Sequence, residues 1–303
     1  MAVTSYTEKL TMEQAVTLRG ILEAGDYEFK DKPYTLFAAS KSKLQISVYQ
    51  KGPKVLVQGK EAENFVRDLL EPEVFEEIRL GHEEQRFPER FAPHIGVDES
   101  GKGDFFGPLV ISGVYVDVVI ARRLLDVGIC DSKRISSDAR IHKLADAIRK
   151  IPGLVHDTIV VAPERYNELY VKVGNVNKLL AWAHAAVMAN LSKQRPDCPR
   201  ALSDQFASDP RLLERAAEQK HLTLMVEQRI KAESDPAVAA ASILAREAFI
   251  LWLEKMGSSM NLTLPRGASR DVQGFVHKIR QHQGEDILAT LAKTHFKISR
   301  DSS

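Results

Sequence analysis

Two adjacent acids, Asp98-Glu99, stand between the apolar run Ile95-Gly96-Val97 and the turn Ser100-Gly101-Lys102-Gly103. Neighbouring side chains on a regular strand point to opposite faces, so both acids serve one site only where the strand ends. The glycine turn supplies an end and permits close backbone approach to a ligand. Lys102 adds a phosphate-seeking cation, and Phe105-Phe106-Gly107-Pro108 makes an apolar wall behind the turn. Two further acids stand at element ends: Asp204 after Ala201-Leu202-Ser203, and Glu233 before a helix opened by Ser234-Asp235-Pro236. Each has a bland alternative when taken singly. Asp98-Glu99 suits a solvated turn, Asp204 a strand-end turn, and Glu233 the favourable dipole of a helix N-terminus. Their separations along the chain show no convergence. Residue chemistry alone yields four candidate carboxylates and no more.

The elements that must position these acids come from hydrophobic periodicity. Ile95–Val97 is a short strand ending at the acid pair, followed by strands at Leu109–Val116, Thr158–Val161 and Leu222–Val226. A helix covers Asn177–Ser192, and a long apolar one runs over Pro236–Met256 behind its cap and first-turn proline. Upstream, the spacing predicts a helix over Thr11–Gly25, strands at Tyr34–Ala38, Leu44–Tyr49 and Val55–Val57, and a helix over Glu61–Leu70. Glu71–Pro93 is charged and weakly periodic, as a linker is. The order is α/β: a small α+β domain over residues 1–85, then a larger domain of mixed strands and helices over 86–303.

Bulk properties narrow the class. The chain has 303 residues, 44% hydrophobic and 27% charged, which suits a globular protein of two domains. No apolar run approaches the ~20 residues of a membrane helix, and the opening Met1-Ala2-Val3-Thr4-Ser5 lacks the pattern of a signal peptide. Cys130 and Cys198 show no metal-ligand spacing and read as plain thiols of a reducing cytoplasm. The net charge of +1 hides segregation: Lys30, Lys32, Lys41, Lys43, Lys51, Lys54 and Lys60 face one acid, Asp31, between residues 29 and 60. With Phe29, Tyr34, Phe37 and Tyr49 interleaved, this segment is a candidate nucleic-acid face. The alternative is aromatics in a core under a solvated lysine surface. His184 and Trp182, on the apolar helix, read as packing.

Resemblance adds what spacing does not. The run IGVDESGKGDFFGP (Ile95–Pro108) with Asp131-Ser132-Lys133 resembles the opening of type 2 ribonucleases H. Asp204-Gln205-Phe206-Ala207 and Lys231-Ala232-Glu233-Ser234, followed by Ala239–Arg246, look like the later blocks of that family. Together they span most of residues 94–300. Lysine between the glycines, glutamate as the fourth acid and an N-terminal extension resemble the ribonuclease HIII branch. The resemblance implies a ribonuclease H-like mixed sheet flanked by helices, preceded by a TATA-box-binding-protein-like substrate-binding domain. It implies hydrolysis of the RNA strand of RNA–DNA hybrids by two Mg²⁺ or Mn²⁺ ions, leaving 3′-hydroxyl and 5′-phosphate ends. Asp98, Glu99, Asp204 and Glu233 would hold the metals. Gly101, Lys102 and Gly103 would read the 2′-hydroxyl, and Ser132 and Lys133 would contact phosphates. His295-Phe296-Lys297 resembles a block that approaches substrate, with a buried histidine as the alternative. The expected protein is a cytoplasmic monomer without membrane attachment. Incision at single ribonucleotides embedded in DNA, as in ribonuclease HII, is the alternative activity; a non-catalytic nucleic-acid-binding module is the rival class.

Overall fold

The computed structural model describes residues 4–75, 84, 87–129, 135 and 137–296. Cys130, Ser132, Lys133, Lys297 and the boundary expected at 85/86 lie outside the described residues. The chain forms two compact units, Met1–Glu89 and Arg90–Ser303.

In the first unit, five antiparallel strands are β1 (Ser5–Lys9), β2 (Glu28–Lys30), β3 (Thr35–Lys41), β4 (Leu44–Tyr49) and β5 (Lys54–Gly59), in the order β1-β5-β4-β3-β2. Alternation sorts their side chains. Leu44, Ile46 and Val48 of β4 and Val55 and Val57 of β5 bury themselves with Leu18 and Leu22 of α1 (Met12–Ala24). Thr11 caps α1 through a capping box with Gln14. The edge strands β1 and β2 carry polar, largely exposed residues, so no apolar alternation marks them in the sequence. Helix α2 (Ala62–Phe65) continues as a π-helix over Val66–Phe75. The linker expected from Glu71 therefore starts too early: Leu70, Val74 and Phe75 join the apolar core, and the Tyr6 hydroxyl donates to Glu71 at 3.5 Å.

The second unit is built on β6 (His94–Ser100), β7 (Leu109–Val116), β8 (Val155–Val161), β9 (Arg200–Asp204) and β10 (Met225–Arg229), in the order β10-β9-β6-β7-β8. β7 is antiparallel to β6 and β8, whereas β6, β9 and β10 run parallel. The β10 strand starts three residues later than the apolar run Leu222–Val226 suggests, because Leu222 and Leu224 are spent on the core before the strand begins. Both faces are covered, as a parallel sheet requires. On one face α6 (Val176–Gln194) packs with α5 (Pro163–Val173) and α7 (Arg211–Gln219). On the other, α3 (Val118–Asp126) and α4 (Asp138–Arg149) pack around α8 (Pro236–Met260). Helices α9 (Arg270–Gln283) and α10 (Glu285–Leu291) close the chain against Phe105 and Phe106.

Helix α8 is long and apolar enough to span a membrane by length and composition, yet its apolarity is used inside the fold, where most of it is buried. Its backbone lies against β6 because Gly96 has no side chain: a Cβ there would stand 2.4 Å from the Ala237 carbonyl carbon. The buried Asp235 caps α8, its Oδ1 accepting from Ala237 N at 2.9 Å, and faces His94 Nε2 at the same distance.

Candidate active site

Strand register builds the site. Val97 lies opposite Ser203, and Arg229 opposite Asp204. One rung beyond Val97, Asp98 comes beside Asp204, on strands about 4.8 Å apart. These are the carboxyl ends of adjacent parallel strands, where open α/β sheets hold ligands. Glu233 sits in the 3₁₀ turn Ala232–Ser234 between β10 and α8, tied to Asp204, whose Oδ1 accepts from Ala232 N at 2.9 Å.

The strand does not stop at Val97 as expected. It runs through the acid pair to Ser100 and breaks at Gly101, whose φ is +86°. The two acids therefore point to opposite faces at the strand end. Asp98 joins His94 and Gly96 on the α8 side and accepts from the Ser242 hydroxyl. Glu99 joins Ile95 and Val97 on the α6 side, where Oε2 stands 3.2 Å from His184 Nε2.

Electrostatics couple the set. Asp98 is 4% exposed. Burial pushes its carboxyl up to about 7; the charges of Glu99 and Asp204 act the same way, against hydrogen bonds from Ser242 and from the Glu99 amide. Glu99 Oε2 and Glu233 Oε2 are buried and have no hydrogen-bond partner. Glu99 Oε2 and His184 Nε2 are close enough for an ion pair but are not aligned for a hydrogen bond, so both atoms stay unsatisfied. Among the described residues, no three His, Cys, Asp or Glu side chains close into a ready-made metal cage.

The glycine turn is clamped from several sides. Asp104 N donates to Gly101 O at 3.3 Å, and Asp104 Oδ1 accepts from Gly267 N at 2.7 Å. A Cβ on Gly101 would meet Pro108 O at 2.2 Å, whereas Gly103 faces open space and leaves its backbone accessible. Lys102 Nζ donates to Phe206 O, just past Asp204. The buried Lys293 donates to Gly107 O at 2.6 Å, its ammonium pushed down to about 7 by burial. His295 packs among Tyr166, Tyr170 and Phe296, and burial lowers its pKa; it belongs to an aromatic cluster.

Sequence reasoning missed Ser242 and took His184 only as packing. Each is a polar residue set in a run of alanines and other apolar residues on a buried helix, and that isolation was the available signal. Trp182, also read as packing, is 40% exposed with Lys220 Nζ 5.6 Å above its ring.

The family described as Ribonuclease HII matches residues 95–299, and a domain of unknown function (DUF3378) matches residues 22–77. Ribonuclease HIII of Chlamydia muridarum is 40% identical over 295 residues, covering 97% of this chain and 95% of that protein. Ribonuclease HIII of Chlamydia abortus is 42% identical over 281 residues, covering 92% and 91%. The crystal structure of Bst-RNase HIII in complex with Mn²⁺ superposes with a TM-score of 0.66 at 27% identity, covering 97% of this chain and 96% of that one. With the family match over residues 95–299 and the near full-length similarity in agreement, the chain belongs to the ribonuclease HII family, in its ribonuclease HIII branch.

Proposed function

We propose that this protein is an endoribonuclease that hydrolyses the RNA strand of RNA–DNA hybrids, with two divalent cations held by Asp98, Glu99, Asp204 and Glu233. One observation carries the reading: a buried carboxyl, raised to about 7, sits beside two more acids at the ends of adjacent parallel strands. Such a group is only about half ionised at neutral pH, and a cation beside it favours the charged form. The unsatisfied oxygens of Glu99 and Glu233 offer further lone pairs. All the donors are hard oxygens, which select Mg²⁺ or Mn²⁺ over zinc.

When bound, the ions supply an activated water and neutralise charge on the leaving 3′ oxygen, which leaves 3′-hydroxyl and 5′-phosphate ends. The chain's own groups do the rest. Asp98, beside Glu99 and Asp204, would help to hold the ions. The exposed Gly103 backbone and the Gly101-Lys102 peptide read the 2′-hydroxyl, the group that separates RNA from DNA. Ser132 and Lys133 contact phosphates.

The first unit is proposed to hold the hybrid. Its sheet has one face packed on helices and one open. The open face carries Ser40, Gln45, Gln58, Glu28 and Lys30, which with Asp26, Lys41 and Lys43 at its margin line a groove of about 600 Å³. Lys32 Nζ stands over the Tyr49 ring and donates to Ser47 Oγ at 3.1 Å. Phe37 goes to the core and Tyr34 stays 84% exposed, so the interleaved aromatics divide between packing and surface. The protein is proposed to act as a monomer in the reducing cytoplasm, with Cys198 a buried free thiol.

The test is cleavage of end-labelled duplexes with Mg²⁺ or Mn²⁺, and again after chelation. The expected result is multiple cuts in the RNA strand of a long hybrid, little incision of DNA carrying one ribonucleotide, and none without metal. Cutting that survives chelation, or confinement of cuts to single-ribonucleotide sites, overturns the reading.

A further inference from the structure

His184 lies in the middle of α6, is fully buried, and is the only ionisable side chain among that helix's buried residues. Three contacts tie it to the site. Its Nε2 stands 3.2 Å from Glu99 Oε2. Its Nδ1 is 3.0 Å from Ser203 Oγ, and that hydroxyl also lies 2.9 Å from Asp204 O. Its ring packs on Phe206 at 4.7 Å between centroids, and the Phe206 carbonyl receives Lys102. One imidazole thus touches the strand end carrying Glu99, the strand end carrying Asp204 and the residue that anchors the glycine-turn lysine.

An unsatisfied ring nitrogen alone marks no role, since His295 Nδ1 in its aromatic cluster is unsatisfied too; what sets His184 apart is the carboxylate that faces it. Here Nε2 and Glu99 Oε2 are both buried, face each other across 3.2 Å, and are both unsatisfied because they are out of line. With the ring proton on Nε2 and Nδ1 accepting from Ser203 Oγ, a small rotation of the carboxylate lets Nε2 donate to Glu99 Oε2. Rotation also fixes how the second oxygen of Glu99 is presented to a cation. Ligating carboxylates are commonly held in this way by an outer partner that sets their orientation.

We propose that His184 is a positioning residue that orients the Glu99 carboxylate for divalent-cation binding, while its other nitrogen locks β9 through Ser203. The inference rests on the metal-site reading above. It assigns His184 no contact with the substrate.

The two ring nitrogens are separable by substitution. Glutamine places an amide near the position of Nε2 and can reach Glu99; asparagine places one near Nδ1 and reaches only Ser203. His184→Leu fills the space and reaches neither. The measurement is Mn²⁺ affinity without nucleic acid, by calorimetry, beside thermal unfolding and hybrid affinity in Ca²⁺. His184→Leu and His184→Asn are expected to weaken Mn²⁺ binding by about 10–100-fold, and His184→Gln to recover most of it. Hybrid affinity is expected to stay within about twofold of the parent in all three.

Parent-like Mn²⁺ affinity in a folded His184→Leu, or rescue by asparagine and not glutamine, overturns the proposal. The unmodified protein gives a second readout that does not depend on any variant folding. On adding Mg²⁺, the ¹⁵N resonance of His184 Nε2 is expected to move more than that of Nδ1. An unmoved imidazole overturns the proposal as well. Failure of the underlying metal reading looks different: Asp98→Asn would then bind Mn²⁺ as the parent does, or the parent would bind none.

Discussion

The two sheets of this protein solve opposite problems. The sheet of the first unit has one face against helices and one face open, so its polar groups spread across a surface. The sheet of the second unit is covered on both faces, so its polar groups are pushed to the strand ends. Lys30 and Lys32 stand on the open face with Glu28 and Asp31 among them, and Asp98 and Asp204 stand at the covered sheet's end. A solvated lysine costs little wherever it stands, but a buried carboxylate must be placed where burial is repaid by a ligand. The comparison teaches that the first region tolerates substitution in detail while the second does not.

The sharpest break in that comparison is Asp98→Asn. It keeps the shape and removes the charge at the centre of the acid set. RNA cleavage is expected to fall by about 10³-fold or more, which is roughly 4 kcal/mol of barrier, with hybrid affinity in Ca²⁺ preserved. Cleavage kept within tenfold of the parent would show that the covered sheet's end is not the site.

The same variant carries a stability prediction. The folded Asp98 carboxyl is raised from 3.8 to about 7, so between those values the folded state holds a proton that the unfolded state has lost. Metal-free stability therefore falls as pH rises through that window, by an upper bound of about 4 kcal/mol. Asparagine never ionises. In EDTA, Asp98→Asn is expected to unfold at a higher temperature than the parent at pH 8, with the gap closing toward pH 4. Saturating Mg²⁺ is expected to raise the parent's midpoint and leave the variant's nearly unchanged. Equal midpoints in EDTA at pH 8 would mean that the acid is not destabilised by its surroundings.

What the sequence made legible follows the same division. Strands β4 and β7 were found residue for residue, because their apolar patterns are uninterrupted. Helices α1, α6 and α8 stand out nearly as well, the start of α8 marked by its cap at Asp235. Polar β1 and β2 were missed, since edge strands need no apolar face. The four acids stand out by type and position, but that Asp98 comes beside Asp204 depends on the β6–β9 register, which pairs residues about a hundred positions apart, such as Ile95 with Ala201. The environment of His184 was illegible for the same reason: its partners Glu99 and Ser203 lie on two strands that become neighbours only in the fold.

Packing behind the acids is the next place to press. Gly96→Ala puts a Cβ 2.4 Å from backbone atoms of Ala237 and Val238, which cannot turn aside as a side chain does. Helix α8 must shift, and α8 carries Ser242 and follows the Glu233 turn. A destabilisation of about 3 kcal/mol is expected, read by denaturant unfolding, together with a loss of cleavage larger than the unfolded fraction explains. A variant as stable and active as the parent would show that the close crossing of β6 and α8 is not required. The matched control is Gly52, where a turn at φ +71° has open space around it and only the backbone preference is at stake.

The mildest effect belongs to the open face. Lys30, Lys32 and Lys43 are exposed and line its grooves, and none is a core group. Changing all three to glutamine is expected to leave the fold and the Mn²⁺ affinity unchanged. Hybrid affinity should fall by about tenfold, near 1.4 kcal/mol. The more telling readout is the salt dependence. Each phosphate contact contributes about 0.9 to the slope of log affinity against log salt, so the slope should become shallower by about three if every lysine meets a phosphate. A loss of affinity with an unchanged slope would mean that the lysines act through local structure and not through phosphate. No change in either would move hybrid binding off this face and leave the covered sheet's end to bind as well as cut.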